Sequence, residues 1–355
     1  MTVNPPTWLK SVASRVESRL SEFLQEEQDR WSGLDGDLSA PLGELTRLVG
    51  AGGKRLRPAF CYLSFVGAGG DENSKRLLDT QAALELLHAS ALLHDDIIDG
   101  SSKRRGEPTS HTRYIAKHAD SKWAGEARRF GEGAVILIGD LAFVYADQLM
   151  FGVNSITAKI WNEMRIEVNI GQYLDLLGSA QRERDLTKTE RVCRYKSGKY
   201  TVERPLHLGA SLAAPEQADV LLEQLSSFGL PLGDAFQMRD DVLGAFGDDS
   251  ANLTGKPIGD DLREGKPTPL LALAYERATA SQREMLNKVG DPQISQQEIA
   301  DTQQVIVETG ALMALETKIS MLVEQSVAAI ARSSLNETAI KQLTELAEFI
   351  ASRTD

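Results

Sequence analysis

The stretch from Leu84 to His111, LELLHASALLHDDIIDGSSKRRGEPTSH, constrains the fold more than any other part of the chain. Its first half is an apolar run rich in Ala and Leu, too long for a strand, and reads as a buried helix. Along it Glu85, His88, Asp95, Asp96 and Asp99 recur at helical spacing and make one polar stripe. Asp95 and Asp99 are four apart, so their carboxylates leave adjacent turns in the same direction. Like charges so placed repel, and burying them is costly unless a cation or a hydrogen-bond donor intervenes. Just past the helix end, Arg104 and Arg105 supply positive charge that suits a phosphate and not a metal. A solvated acidic face is the bland alternative, and the apolar company on this helix argues against it. A second acidic cluster, with a means of holding anions, would decide between them.

Composition narrows the possibilities. At 355 residues the length allows two domains. With no Pro/Gly/Ser-rich linker and no compositional break, a single helical domain over residues 1–355 is expected. The two cysteines, Cys61 and Cys193, belong to no paired motif and fit a reducing compartment, hence a cytoplasmic location. The N-terminus carries no signal-peptide core, and no stretch reads as long and apolar enough to span a bilayer. A net charge of −12 argues against nucleic acid. An anionic substrate would need local cations or metal.

Helical periodicity dominates the chain. An amphipathic segment from Pro5 to about Glu27 is followed by a short helix near Pro41 to Val49. Pro58 sits near the start of another, where proline is tolerated. The acidic helix begins at about Ser74, and a long polar connection with room for a helical turn or two runs from Gly100 to Glu132. Further helices are expected over Ala134–Phe151, Thr157–Ala180, Thr187–Leu212 with a break near Gly198, and Glu216–Phe246 with a kink at Pro231. Gly247–Thr268 reads as a loop, and Pro269–Arg353 as helix interrupted near Gly290 and Ser334. Strand-like alternation is scarce, which makes the fold class all-α.

A second acidic cluster exists. In GDAFQMRDDVLGAFGDD, Asp234, Gln237, Asp240, Asp241 and Asp248 line one side of an otherwise apolar helix, and GQYLDLLG adds Gln172 and Asp175. Carboxylates from separate helices meeting across a bundle can hold a hard divalent cation such as Mg²⁺. Cations come in short clusters: Lys54, Arg55 and Arg57; Arg104 and Arg105; Lys196 and Lys199 around Ser197; Lys256 and Lys266. GGKR is not a P-loop, since arginine follows its lysine. His88 lies on the acidic stripe as a substrate contact, whereas His94 reads as a core histidine.

The ordered set GGKRLRP, ELLHASALLHDDIID, RRGEP, GQYLDL, YKSGKYT, FQMRDDVLG and TGKPIGDDLREGKPTP closely resembles the trans-type isoprenyl diphosphate synthases. YKSGKYTVERPLHLG looks most like the bacterial geranylgeranyl diphosphate synthases. The resemblance is strong from Gly50 to Leu270. It implies a helical bundle around a deep central cavity, a homodimer, and about three Mg²⁺ ions per site bound with an allylic diphosphate. Asp95, Asp99 and Asp240 would ligate Mg²⁺, with Asp96, Asp241, Asp175 and Gln172 completing or orienting that shell. Arg104, Lys196, Lys256 and Lys266 would meet the allylic diphosphate, with Ser197 and Gln237 beside it. Lys54, Arg57, His88 and Arg105 match the positions that hold isopentenyl diphosphate.

One departure stands out: the second motif reads DDVLG, with Gly244 where the family often has a last Asp. Product length in this family depends on the cavity floor. Here Ser90 and Ala91 are small, with Leu87 one turn deeper and Leu84 below it, which implies a twenty-carbon product, geranylgeranyl diphosphate. Three readings compete. A longer-chain polyprenyl synthase would need only a deeper floor. A terpene cyclase would need an Asn/Asp…Ser/Thr…Glu motif that DDVLGAFGD lacks. A non-catalytic subunit of the same fold would be expected to have lost acidic or basic motifs that this chain keeps.

Overall fold

Apolar residues recurring at helical spacing fold nearly the whole chain into helices. The computed structural model of the protein describes residues 5–104, 106–247 and 259–352 and is all-α. The helices are α1 (Thr7–Ser32), α2 (Ser39–Gly50), α3 (Leu56–Gly67), α4 (Lys75–Ile98), α5 (Ser110–Asp120), α6 (Ala127–Met150), α7 (Ser155–Gln181), α8 (Leu186–Val192) and α9 (Arg204–Ala213). Then come α10 (Ala218–Phe246), α11 (Asp260–Glu264), α12 (Pro269–Arg277), α13 (Ala280–Leu286), α14 (Gln296–Glu308), α15 (Ala311–Ile330) and α16 (Glu337–Ser352). Among the described residues the strands are confined to a two-residue antiparallel ribbon, Lys103–Arg104 with Glu107–Pro108.

Local signals explain several boundaries. The Ser74 hydroxyl accepts the Leu77 N–H to start α4, and Thr268 does the same for Leu271 at the start of α12. Ser295 and Glu298 cap α14 reciprocally. α4 is buried on nearly every side, packed against α3 and α6. One core cluster gathers Val16, Leu45, Leu84, Leu87, Ile138 and Met164 around it. A second joins Phe60, Leu206, Phe228, Leu271, Leu315 and Phe349 from the other half of the bundle. Each such fully buried side chain contributes about 1.5–3 kcal/mol.

The structure corrects the sequence expectations in four places. The polar connection after Gly100 contains α5, and α6 starts at Ala127, because a charged face turned to solvent hides the apolar period. The break expected near Gly198 is a continuous π-helical stretch, Cys193–Glu203, running straight into α9. The C-terminal segment also breaks between α12 and α13 and at Gly310, whose φ of 70° stops α14 from running into α15. Finally, α6 is long and apolar enough to cross a membrane by length and composition; nearly half of that stretch is buried in the bundle.

Candidate active site

The acidic stripe of α4 meets three other elements. Gln172 on α7 donates to Asp95 Oδ1 at 2.9 Å, and Lys196 of the π-helical stretch reaches the same oxygen at 3.2 Å and Asp175 Oδ2 at 2.5 Å. Arg104, in the ribbon after α4, binds Asp96 through Nε (2.9 Å) and Nη2 (2.7 Å) and lies 3.7 Å from Asp95. Lys266, between α11 and α12, lies 2.8 Å from Glu264, 3.4 Å from Asp99 and 3.5 Å from Asp261.

Two close approaches make this possible. A Cβ on Gly171 would lie 2.3 Å from the Lys196 backbone nitrogen, so only glycine lets α7 run against the π-helical stretch. Gly198 packs against Gly233 of α10 in the same way. The wider π-helical turn also separates two lysines that sequence spacing grouped together. Lys196 faces the acids, whereas Lys199 turns to Glu167 and Glu203.

On α10, Gln237 donates to Asp241 Oδ1 at 2.8 Å, and the Cys193 thiol lies 3.7 Å from Asp241 Oδ2. Asp240 is half-buried beside it. Asp234, expected on the same acidic side, is instead held by Arg194. Asp261 links the motifs: its charge is felt by Asp241 on α10, and it shares Lys266 with Asp99 on α4.

Electrostatics register this crowding. Burial and the neighbouring Asp95 push Asp99 above the usual carboxylate range, against the pull of Lys266 and Lys196. Burial also opposes ionisation of Asp95, but Lys196, Lys266 and Arg104 outweigh it and hold that carboxyl low. Asp241 is pushed up to about 8 by burial, with Asp261 and Asp240 adding to it against the Gln237 hydrogen bond. Burial opposes the Lys266 charge, yet Asp261, Asp99 and Glu264 keep its pKa well above the usual value.

These residues fit a hard divalent cation. The donors are oxygens, and Asp99 Oδ2 is buried with no hydrogen bond, the Lys266 ammonium lying 3.4 Å away. Among the described residues no three His, Cys, Asp or Glu side chains converge on one point as a protein-only metal site. Mg²⁺ commonly keeps waters and substrate phosphates in its shell, so it does not require such a convergence.

A second group of cations opens beside the α4 stripe. Arg57 stacks on the Tyr200 ring at 4.3 Å and donates to Thr201 at 2.9 Å, while its Nε is buried without a hydrogen-bond partner. His88 lies across the same Tyr200 ring, at 6.3 Å between centroids. Lys54 is half-buried in the loop before α3, and Ser197 is half-buried next to Lys196. Leu84, Leu87 and Ser90 are buried on α4, with Ala91 half-buried. Arg105, Asp248 and Lys256 lie outside the described residues.

Carboxylates on α4 joined by Lys196 to α7 and by Lys266 to α11, with further acids on α10, lie inside an all-helical bundle of the isoprenyl synthase fold. Comparison with known proteins takes the assignment further. A model of the polyprenyl synthetase family matches residues 42–309. A geranylfarnesyl diphosphate synthase of Aeropyrum pernix is 30% identical over 340 residues, covering 93% of this chain and 96% of that one. A geranylgeranyl diphosphate synthase of Saccharolobus solfataricus is 32% identical over 317 residues, covering 86% and 88%. The crystal structure of geranylgeranyl pyrophosphate synthase from Corynebacterium glutamicum, complexed with isoprenyl diphosphate and magnesium, matches with a TM-score of 0.90 and 35% identity over 99% of this chain and 100% of that one. The chain belongs to the polyprenyl synthetase family, whose members are trans-prenyltransferases acting on isopentenyl and allylic diphosphates.

Sequence reasoning passed over several residues of the site. Asp261 and Glu264 lie in the polar stretch read as loop, and nothing in their spacing announces that they share Lys266. Tyr200 and Thr201 were visible only as part of YKSGKYT. Gly244 was visible as a departure, but its neighbour was not: a Cβ there would lie 1.9 Å from Asp261 Oδ2.

Proposed function

We propose that this chain condenses isopentenyl diphosphate with allylic diphosphates, up to farnesyl diphosphate, to give geranylgeranyl diphosphate. The observation that carries this is the convergence of Asp95, Asp99 and Asp175 with Lys196 and Lys266, beside the separate pair of Arg57 and His88 at the Tyr200 ring. Two anion-binding groups, one with acids and one without, match a reaction that must ionise one diphosphate and spare the other.

Asp95, Asp99, Asp240, Asp241 and Asp175 would hold Mg²⁺, which supplies positive charge to the allylic diphosphate as its C–O bond breaks. Lys196, Lys266, Arg104 and Lys256 bind the oxygens of that leaving group, and Gln237 and Ser197 orient it. They stabilise charge that grows in the transition state. Lys54, Arg57, Arg105 and His88 hold isopentenyl diphosphate so that its double bond attacks the allylic carbocation. The new C–C bond leaves a second cation, which loses a proton to the released diphosphate. No side-chain nucleophile is required.

Small Ser90 and Ala91 above Leu87 and Leu84 support a stop at twenty carbons. The geranylfarnesyl relative favours the rival reading of a product one unit longer. Exposed apolar side chains on α6 (Leu137, Val144) and α7 (Ile166, Ile170, Tyr173, Leu177) support a homodimer. Both cysteines are buried and unpaired, in keeping with a reducing cytoplasm.

The decisive assay incubates the protein with isopentenyl diphosphate, Mg²⁺ and each allylic starter, resolving products by chain length. A dominant twenty-carbon product, lost without Mg²⁺ and in Asp95→Ala, is expected. A longer ladder would retain the mechanism and overturn the floor assignment, and no condensation by folded protein would overturn the reading.

A further inference from the structure

The loop between α2 and α3 is held in an unusual backbone conformation. Gly52 and Gly53 have φ of 80° and 154°, and Arg55 has φ 49° and ψ 41°, a left-handed geometry that side chains other than glycine rarely adopt. Such a residue persists only where its surroundings over-determine it. Here the surroundings are three helices joined by one guanidinium, with a fourth joined by the backbone. Arg55 is 6% exposed and pairs through Nη1 with Glu85 of α4, itself 4% exposed. Its Nη2 donates to the Val49 carbonyl in the last turn of α2 at 2.6 Å, and its Nε to Glu17 of α1 at 3.3 Å. The Arg55 carbonyl accepts the Ala59 N–H, setting the start of α3.

The position of this clamp gives it a use. Lys54 and Arg57 flank Arg55 in sequence, and Glu85 lies one turn before His88 on α4. Arg57 and His88 both lie against the Tyr200 ring, at 4.3 Å and 6.3 Å from its centroid. The Arg55–Glu85 pair is therefore the short link between the loop that carries the cations and the helix that carries the histidine.

We propose that Arg55 and Glu85 are positioning residues for isopentenyl diphosphate: the buried pair fixes the GGKR loop against α4, so that Lys54 and Arg57 on the loop and His88 on the helix keep one relative position. This rests on the assignment of that group to isopentenyl diphosphate. Neither residue touches the substrate. A planar guanidinium that spends its three nitrogens on three different partners fixes direction as well as distance, which lysine cannot reproduce.

The test titrates isopentenyl diphosphate calorimetrically into the wild type, Arg55→Gly, Arg55→Lys and Glu85→Gln, and measures KM for both substrates with farnesyl diphosphate as starter. Arg55→Gly is informative because glycine keeps the left-handed backbone while removing the tether. Affinity and KM for isopentenyl diphosphate are expected to weaken roughly tenfold or more in Arg55→Gly and Glu85→Gln, less in Arg55→Lys, with KM for farnesyl diphosphate within about twofold of wild type. Folded variants that bind isopentenyl diphosphate like the wild type would overturn the clamp. Equal losses for both substrates would also overturn it, as general loosening. Should Arg55→Gly not fold, Glu85→Gln, which keeps the side chain's shape and an acceptor, gives the same comparison. A wild type that binds no isopentenyl diphosphate would overturn the site assignment itself and the proposal with it.

Discussion

At position 244 a Cβ would come within 1.9 Å of Asp261 Oδ2, so the space a side chain would need there is taken by a carboxylate from another element. Gly244→Asp would force two like charges together beside Asp241, whose carboxyl burial already raises. Its kcat/KM is expected to fall about tenfold or more, with partial recovery in Gly244→Asp/Asp261→Gly; additive losses in that double-mutant cycle would show that the two positions do not share one space. His207 makes a different residue-scale prediction. Arg204 donates to its Nδ1 at 3.3 Å, so Nε2 carries the proton and donates to the Leu222 carbonyl at 3.1 Å. Burial, with the nearby Arg204 charge, lowers its pKa to about 3. The unfolded chain takes up a proton below about pH 6.5 while the fold does not, so stability falls as pH drops from about 6.5 to 3. His207→Gln, which retains a donor for Leu222, should flatten that part of the Tm–pH profile; an unchanged slope would place the acid sensitivity elsewhere.

Among the elements, α4 combines core and site in one helix. Its acidic end meets α7 and the π-helical stretch, while its other turns lie in the apolar core, so a change of floor need not disturb the chemistry. Leu87→Ala is expected to lengthen the product with Mg²⁺ dependence retained, as read by chromatography of the chains; unchanged length would remove Leu87 as the floor. The truncation also costs about 2–5 kcal/mol of stability, because a buried leucine leaves a cavity. Gly171→Ala tests the seam between α7 and the π-helical stretch. Its methyl would sit 2.3 Å from the Lys196 backbone, so a loss of about 1–3 kcal/mol is expected together with displacement of Lys196 from Asp95. A variant with wild-type Tm and activity would mean the seam opens freely.

For the whole molecule, the exposed apolar stripes of α6 and α7 matter most. Leu137 is 69% exposed, Val144 59% and Tyr173 64%, on helices whose other faces are core. A second copy of the chain covering these faces would explain why so much apolar surface is kept. Light scattering is expected to give twice the chain mass for the wild type, and the chain mass for Leu137→Glu/Val144→Glu. A wild-type monomer would point to the alternative that the long apolar α6 seeks a lipid surface, testable by flotation with vesicles.

Helical periodicity by itself determined the all-α class, most helix positions and the two acidic motifs, because those depend on spacing along one helix. Asp95 and Asp99 are neighbours in any helix, whatever packs against it. Partnerships across helices were not legible. That Lys196 turns to Asp95 and Asp175 and Lys199 to Glu167 and Glu203 depends on a π-helical pitch, and that Asp261 stands beside Gly244 depends on how α11 meets α10. That α6 packs as part of the bundle likewise depends on its neighbours. The resemblance named the residues proposed to meet substrate, but the Arg55–Glu85 link joins positions thirty apart through a left-handed backbone turn that no propensity favours. Only tertiary structure decides such contacts, since their free energy comes from burying groups that the local sequence leaves in water.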